Sequence, residues 1–424
     1  MLNFKKNIYL LKFATGRKEV IFLAQNKYYR YLYWMAYAYR RVFLKRVQFV
    51  TIVGSLGKTT TTNSIKYLLG LKVKNSYESN SFGAIATRIL RTNPFTNYRI
   101  LEIGIGKKGD MEKYARLIQP DYVILTSINA EHIENFGTIE EIWKEKAKIF
   151  SSKKKPRLII YNGDDENVEK MLNLTTSPKI SYGLHPKNDF YASGVKMNFT
   201  NGLEMKIHHN NTQKSFKVSL FGEKMGYCFL ASFALAKKLN IADELIDKRA
   251  KNISPSYGRM QMFELESGAT LISDEFKASK ESVMAAYRFL NTIKNRRKII
   301  IQGTLSHVIK KQRQLYKEIG AEAGKRANFV FFISSSDHEQ AMTANAKKAG
   351  IEEKNVFRSK GSWRWIGEKI NQIAKENDII LIKGSRMQKL ERLSLAIQGT
   401  DVKCIKNDCI LKYTYCKDCS LLTK

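Results

Sequence analysis

At 424 residues, with 43% hydrophobic and 11% aromatic residues, the chain is long enough for two or three domains with sizeable buried cores, and no internal repeat or low-complexity segment stands out. Its 73 lysines and arginines against 39 acidic residues leave a formal charge of +34, so the surface should attract polyanions. Nucleic acid, an anionic membrane and a phosphorylated, carboxylated small molecule all fit that charge. The lysines beyond the front segment are scattered through helices and no nucleic-acid module is recognisable, so nucleic acid is not the expected partner.

Residues 1–47 form a basic aromatic segment. Positions 1–48 hold eleven Lys or Arg against one acid, Glu19, and twelve aromatic residues, including Tyr28, Tyr29, Tyr31, Tyr33, Trp34, Tyr37 and Tyr39. The uncharged stretch from Tyr31 to Tyr39 is far short of the roughly 20 residues that cross a bilayer. Tyrosine, tryptophan and arginine together suit a headgroup interface, so one reading is a helix lying on an anionic membrane. The other is a helix that packs its aromatics onto the next domain and leaves its cations in water. No apolar core precedes a small-residue cleavage site, so no cleavable signal is expected. A cytoplasmic setting follows, with the inner face of the membrane as a possible refinement, and disulfides are not expected among the five cysteines.

The next segment, Thr51-Ile-Val-Gly-Ser-Leu-Gly-Lys-Thr-Thr-Thr-Thr, runs from a β-branched strand through a glycine turn into a helical pattern. It reads as a shortened P-loop. Gly54 and Gly57 let the backbone turn tightly, and Ser55 and Thr60 flank the cradle. Lys58 would neutralise the β and γ phosphates of ATP, and Thr59 would offer its hydroxyl to Mg²⁺. Alternating strands and helices then predict an α/β chain: a P-loop-type parallel-sheet ATPase domain over 48–253, followed by a smaller Rossmann-like α/β domain over 254–403. Residues 178–220, which alternate polar and apolar positions, predict an antiparallel accessory sheet. Strands are expected near 298–302, 328–333 and 378–383, and residues 404–424 form a cysteine-bearing tail.

In order, Gly54-Ser-Leu-Gly-Lys-Thr-Thr60, Leu101-Glu-Ile-Gly-Ile-Gly106, Ser127-Ile-Asn-Ala-Glu-His-Ile-Glu-Asn-Phe-Gly137, Lys146-Ala-Lys-Ile-Phe150, Tyr257-Gly-Arg259 and Lys383-Gly-Ser-Arg386 resemble the Mur ligases, nearest in pattern to the dipeptide-adding branch. The likeness spans about 48–398. It implies a ligase that phosphorylates a carboxylate with ATP and lets the amine of an amino acid or dipeptide displace the phosphate, on an anionic, soluble or lipid-linked cell-wall precursor. Residue by residue, it implies that Glu102, His132 and Lys146 join Thr59 around Mg²⁺, Lys146 after carbamylation by CO₂. It gives Arg259 to the transferring phosphate, with closure of the second domain about a hinge near 252–256, and Asn80 to a substrate-side loop. Asp274 and Lys277 would lie on the nucleotide side, while Lys383 and Arg386 would contact a carboxylate or phosphate.

The departures are as informative. The family's Asp-x-Tyr-Asn-Ala-Asn-Pro segment stands as Asp274-Glu-Phe-Lys-Ala-Ser-Lys280, with Lys277-Ala-Ser279 similar to the D-glutamate-adding branch, and its Gly-x-His-Asn-x-x-Asn helix start stands as Gly222-Glu-Lys-Met-Gly-Tyr-Cys228. Thr304-Leu-Ser-His307 replaces an acidic segment after the strand at 298–302, so the incoming amine could differ. Only about fifty residues precede the P-loop, too few for the family's uridine-diphosphate domain. A nucleotide-binding protein without ligase turnover is therefore the alternative reading, and a nucleic-acid-stimulated ATPase rests on charge alone. In the tail, Cys404, Cys409, Cys416 and Cys419 suggest a Zn²⁺ site against reduced surface thiols, whereas Cys228 on an apolar helix reads as core.

Overall fold

The computed structural model describes residues 27–73, 79–130, 133–199, 201–222, 224–306, 312–359, 362–405, 409, 411 and 414–423. The chain divides between Ser254 and Pro255 into two compact units. No helix among the described residues is long and apolar enough to cross a membrane.

The first unit contains α1 (Tyr29–Val42), β1 (Gln48–Val53), α2 (Lys58–Leu68), α3 (Phe82–Leu90), β2 (Tyr98–Glu102), α4 (Asp110–Ile118), β3 (Tyr122–Leu125), α5 (Ile133–Phe136), α6 (Ile139–Ala147), β4 (Leu158–Asn162), α7 (Glu166–Leu172), β5 (Lys179–Gly183), β6 (Phe190–Asn198), β7 (Gly202–His209), β8 (Thr212–Val218), α8 (Met225–Lys238) and α9 (Asp243–Ala250). Its strands form one sheet in the order β2-β1-β3-β4-β5-β6-β7-β8. The first six are parallel, and β6, β7 and β8 follow as an antiparallel meander. The accessory sheet expected over 178–220 is thus not separate. Its first strand, β5, is parallel and buried toward its end, and the meander extends the same sheet.

Strand β1 is buried on both faces, as a central parallel strand must be. Phe49 and Val53 enter a core with α1, α3 and α4, while Val50 and Ile52 enter the opposite core with α2 and α8. The period-2 alternation of one strand therefore feeds two cores. Helix α8 is apolar nearly all round from Cys228 to Ala236 because it lies between α2 and the sheet.

The second unit contains β9 (Gln261–Glu264), β10 (Thr270–Asp274), α10 (Lys280–Thr292), β11 (Lys298–Gln302), α11 (Gln312–Gly324), β12 (Phe329–Phe332), α12 (Ser336–Lys348), β13 (Val356–Arg358), α13 (Trp363–Ile373), β14 (Ile379–Lys383) and α14 (Glu391–Ile397). Its sheet runs β13-β12-β11-β14-β10-β9, all parallel except β9. Leu271, Ile299, Ile301, Phe331, Ile380 and Ile382 pack against Trp363, Ile366 and Ile370 of α13 on one face. In each sheet the chemistry-bearing residues sit at the carboxyl ends of parallel strands, where open α/β sheets expose loops to ligands.

Candidate active site

The P-loop leaves the carboxyl end of β1 and is pinned to the loop after β3. Ser55 N donates to Ser127 O at 2.6 Å, and Asn129 N donates to Ser55 Oγ at 3.0 Å. Gly54 takes φ 153°, and a Cβ there would lie 1.9 Å from Thr126 Oγ1, so only glycine passes this close. Gly57, at φ 81°, starts α2 with no side-chain cap, which leaves the first-turn N–H groups to an anion. Lys58 Nζ lies across the loop, donating to Gly54 O at 2.9 Å and Ser55 O at 3.0 Å. Cys228 is buried beneath the turn, its Sγ 3.6 Å from Gly57 O.

Helix α6 delivers a second lysine to the same loop. Lys146 is buried and donates from Nζ to Gly54 O at 2.6 Å and to Ser55 Oγ at 3.2 Å. Its neighbours in the pattern point elsewhere: the exposed Lys144 pairs with Glu140, and the exposed Lys148 with Glu145. Of the three, Lys146 alone is turned inward. Glu145 beside it is also buried and accepts from Gly109 N at 2.8 Å and Met111 N at 3.0 Å, fixing the start of α4.

Glu102 ends β2, half-buried, and accepts from Asn80 Nδ2 at 3.1 Å. The structure thus brings together two residues for which different roles were expected. The Asn80 Oδ1 is buried with no hydrogen-bond partner among the described residues, an acceptor left available on the same amide. Asp110 Oδ2 accepts from Gly106 N and Lys107 N, both at 3.0 Å, shaping the glycine loop after β2. Thr59 is half-buried and Thr60 buried in the first turn of α2. His132 lies outside the described residues.

In the second unit, Asp274 and Lys383 end adjacent parallel strands in direct register. Their side chains form a buried ion pair at 2.9 Å, and Lys383 Nζ also donates to Asp274 O and Lys277 O. Burial pushes Asp274 above the usual carboxylate range while Lys383 and Arg259 pull it back. Lys383 is 1% exposed, and its ammonium braces the strand ends. Arg259 and Arg386 both flank the Phe276 ring, at 4.3 and 5.4 Å from its centroid. A small open depression lies here, lined by Tyr257, Glu275, Phe276, Arg386, Glu391 and Tyr415 among others.

Sequence reasoning missed Glu275, Glu391 and Tyr415. Glu275 follows Asp274 in a segment that departs from its family pattern, which was the available signal. Tyr415 comes from the tail and packs on Tyr257 at 4.7 Å, a contact no local pattern announces. The tail does not support the zinc expectation. Among the described residues no group of three His, Cys, Asp or Glu side chains could hold a metal ion. Cys416 is instead buried, its thiol pushed up by burial and by the Glu391 charge, and Cys404 lies 3.7 Å from an Arg392 nitrogen.

Comparison with known proteins agrees with this fold. The Mur ligase middle domain matches residues 52–236, and the Mur ligase glutamate ligase domain matches 258–386. The chain is 25% identical over 370 residues to the UDP-N-acetylmuramoyl-tripeptide–D-alanyl-D-alanine ligase of Bacillus subtilis (strain 168), covering 85% of this chain and 77% of that protein. Among solved structures, MurF from Acinetobacter baumannii superposes with a TM-score of 0.76 at 18% identity, covering 87% of this chain and 80% of the other. The MurF ligase of Thermotoga maritima in complex with ADP gives 0.73 at 19% identity, covering 88% and 83%. With the two domain models matching consecutively over most of its length, and a P-loop tied to an inward lysine, the chain belongs to the Mur ligase family.

Proposed function

We propose that the chain is an ATP- and Mg²⁺-dependent, ADP-forming ligase that joins an amino acid or dipeptide, D-alanyl-D-alanine foremost, to the carboxylate of a cell-wall precursor through an acyl phosphate. The observation that carries this reading is the convergence of Lys58 and Lys146 on the Gly54 carbonyl. A P-loop lysine alone serves any nucleotide binder, whereas a second, buried lysine on the same loop is what a carbamate-forming ligase needs. The precursor is anionic, nucleotide-linked or lipid-linked, and a lipid-linked acceptor would bring residues 1–47 to a membrane.

The donor set suits a hard divalent ion: the Thr59 hydroxyl, the Glu102 carboxylate, His132 and a carbamate on Lys146. When bound, Mg²⁺ would polarise phosphate oxygens and neutralise their charge. The chain's own groups do the rest. Ser55, Gly57 and the first turn of α2 hold the phosphates, Lys58 screens them, and Asn80 orients Glu102. Binding without turnover remains the second reading, supported by the replaced residues of 274–280 and 222–228.

A mass-spectrometric assay with ATP, Mg²⁺ and bicarbonate decides. Muramoyl-peptide nucleotides are offered with D-alanyl-D-alanine and a panel of amino acids. The expected product has the summed masses less water, with ADP and phosphate. Lys146→Ala should lower turnover about a thousandfold or more, as loss of a charge-stabilising group does, with partial rescue by small anions. Tight ATP binding with no product from any pair would favour the binding-only reading, and full activity of Lys146→Ala would remove that residue from the site.

A further inference from the structure

We propose that the outward face of α1 is a docking surface for an anionic lipid bilayer. Its inward face is fully used: Ala36 and Arg40 are buried, and Tyr33, Tyr37 and Tyr39 pack against the core. The outward face should then be polar, as on an ordinary surface helix. Instead Tyr31, Trp34, Met35, Ala38 and Val42 recur at helical spacing along it, with Tyr31 74%, Trp34 65%, Met35 53% and Val42 59% exposed, and Phe43 follows at 61%. Trp34 is propped outward edge-on by Tyr33 and Tyr37, at 5.8 and 5.6 Å.

Charge selects the occupant. No Asp or Glu occurs between Glu19 and Glu78, and exposed Lys27, Arg30, Lys45 and Arg46 bracket the stripe at both ends. Lys113 and Arg116 of α4 lie alongside, their carbonyls accepting from Tyr33 and Arg41, with Arg116 ion-paired to Glu112 of the same helix. An apolar stripe framed by cations and rich in Tyr and Trp matches a headgroup layer above acyl chains. Nucleic acid would need cations interleaved along the stripe, and Met35, Val42 and Phe43 offer it nothing that reads phosphate. At 14 residues the helix is too short to span and long enough to lie flat. This inference does not depend on the ligase reading.

The test is co-sedimentation of the full chain with vesicles of phosphatidylglycerol mixed with phosphatidylcholine, against phosphatidylcholine alone. Binding is expected to the first only. Tyr31→Ser with Trp34→Ser should weaken it about tenfold or more, and Lys45→Gln and Arg46→Gln about fivefold each. Nucleotide binding should be unchanged, which shows the variants fold. Val42→Glu, a single exposed change, should also repel the anionic vesicles. Absence of vesicle binding, binding indifferent to these substitutions, a dimer that Trp34→Ser dissociates, or salt-sensitive capture of single-stranded DNA through this face would each overturn the proposal.

Discussion

Replacing Glu275 by Gln should make the second unit more stable at neutral pH and less dependent on pH. Glu275 follows β10, 3% exposed, and both its oxygens accept from Ser273 Oγ, at 2.9 and 2.8 Å. Burial pushes the carboxyl from 4.5 up to about 8, the Ser273 hydrogen bond opposing and the Glu391 and Asp274 charges adding to the rise. Between those values the unfolded chain has lost a proton that the folded chain retains. The unfolded state binds fewer protons there, so stability is fully present below pH 4.5 and falls as pH climbs toward 8. At about 1.4 kcal/mol per pH unit, the full span is worth at most about 5 kcal/mol, and even half would dominate a domain's margin. Gln keeps an acceptor for Ser273 and has no charge to desolvate. Pulse proteolysis in urea reads each unit from its own fragments. Between about pH 5 and about pH 8 the wild-type unit should lose roughly 2 kcal/mol or more that Glu275→Gln retains. Parallel stability curves for the two proteins would refute the argument.

Two further substitutions test the first unit. Gly54→Ala must fit a Cβ 1.9 Å from Thr126 Oγ1 at φ 153°, so it should cost about 2–3 kcal/mol and much of the affinity for ATP; adding Thr126→Ala should recover part of the stability, as seen by thermal melting and nucleotide titration. Arg40→Ala removes donors to Ile118 O at 2.9 Å and Leu44 O at 2.6 Å. It also takes away one of the cations around the buried Asp121, which keeps Lys154 and Arg157. A loss of about 3 kcal/mol is expected in urea titration, and a loss under about 1 kcal/mol would show that the remaining cations suffice.

The strands and the phosphate loop were legible because each is set by local rules: β-branched runs, glycines where the chain must turn, and a lysine at a fixed distance. The strand at 298–302 falls where the pattern puts it. Which of Lys144, Lys146 and Lys148 turns inward was readable only through the spacing from Phe150, since all three suit an exposed helix. Other features depend on residues far apart in the chain. The Thr126 hydroxyl that forces Gly54 to be glycine is 72 positions away, and nothing at Lys383 forecasts that its ammonium would be locked to Asp274. The antiparallel strands expected within 178–220 are present, but their joining the parallel sheet was not legible, because alternation reports that one face is wet, not which neighbour a strand will join.

The two faces of α1 draw on different residues. Arg40, Ala36 and the inward tyrosines hold the helix in place, while Tyr31, Trp34, Met35 and Val42 contribute little to that hold. Substitutions on the outer side are therefore close to neutral for folding, and the helix can be retuned toward one surface or another without disturbing the sheet behind it. A designer could exploit this by changing the outer positions alone, leaving the nucleotide loop one strand away untouched.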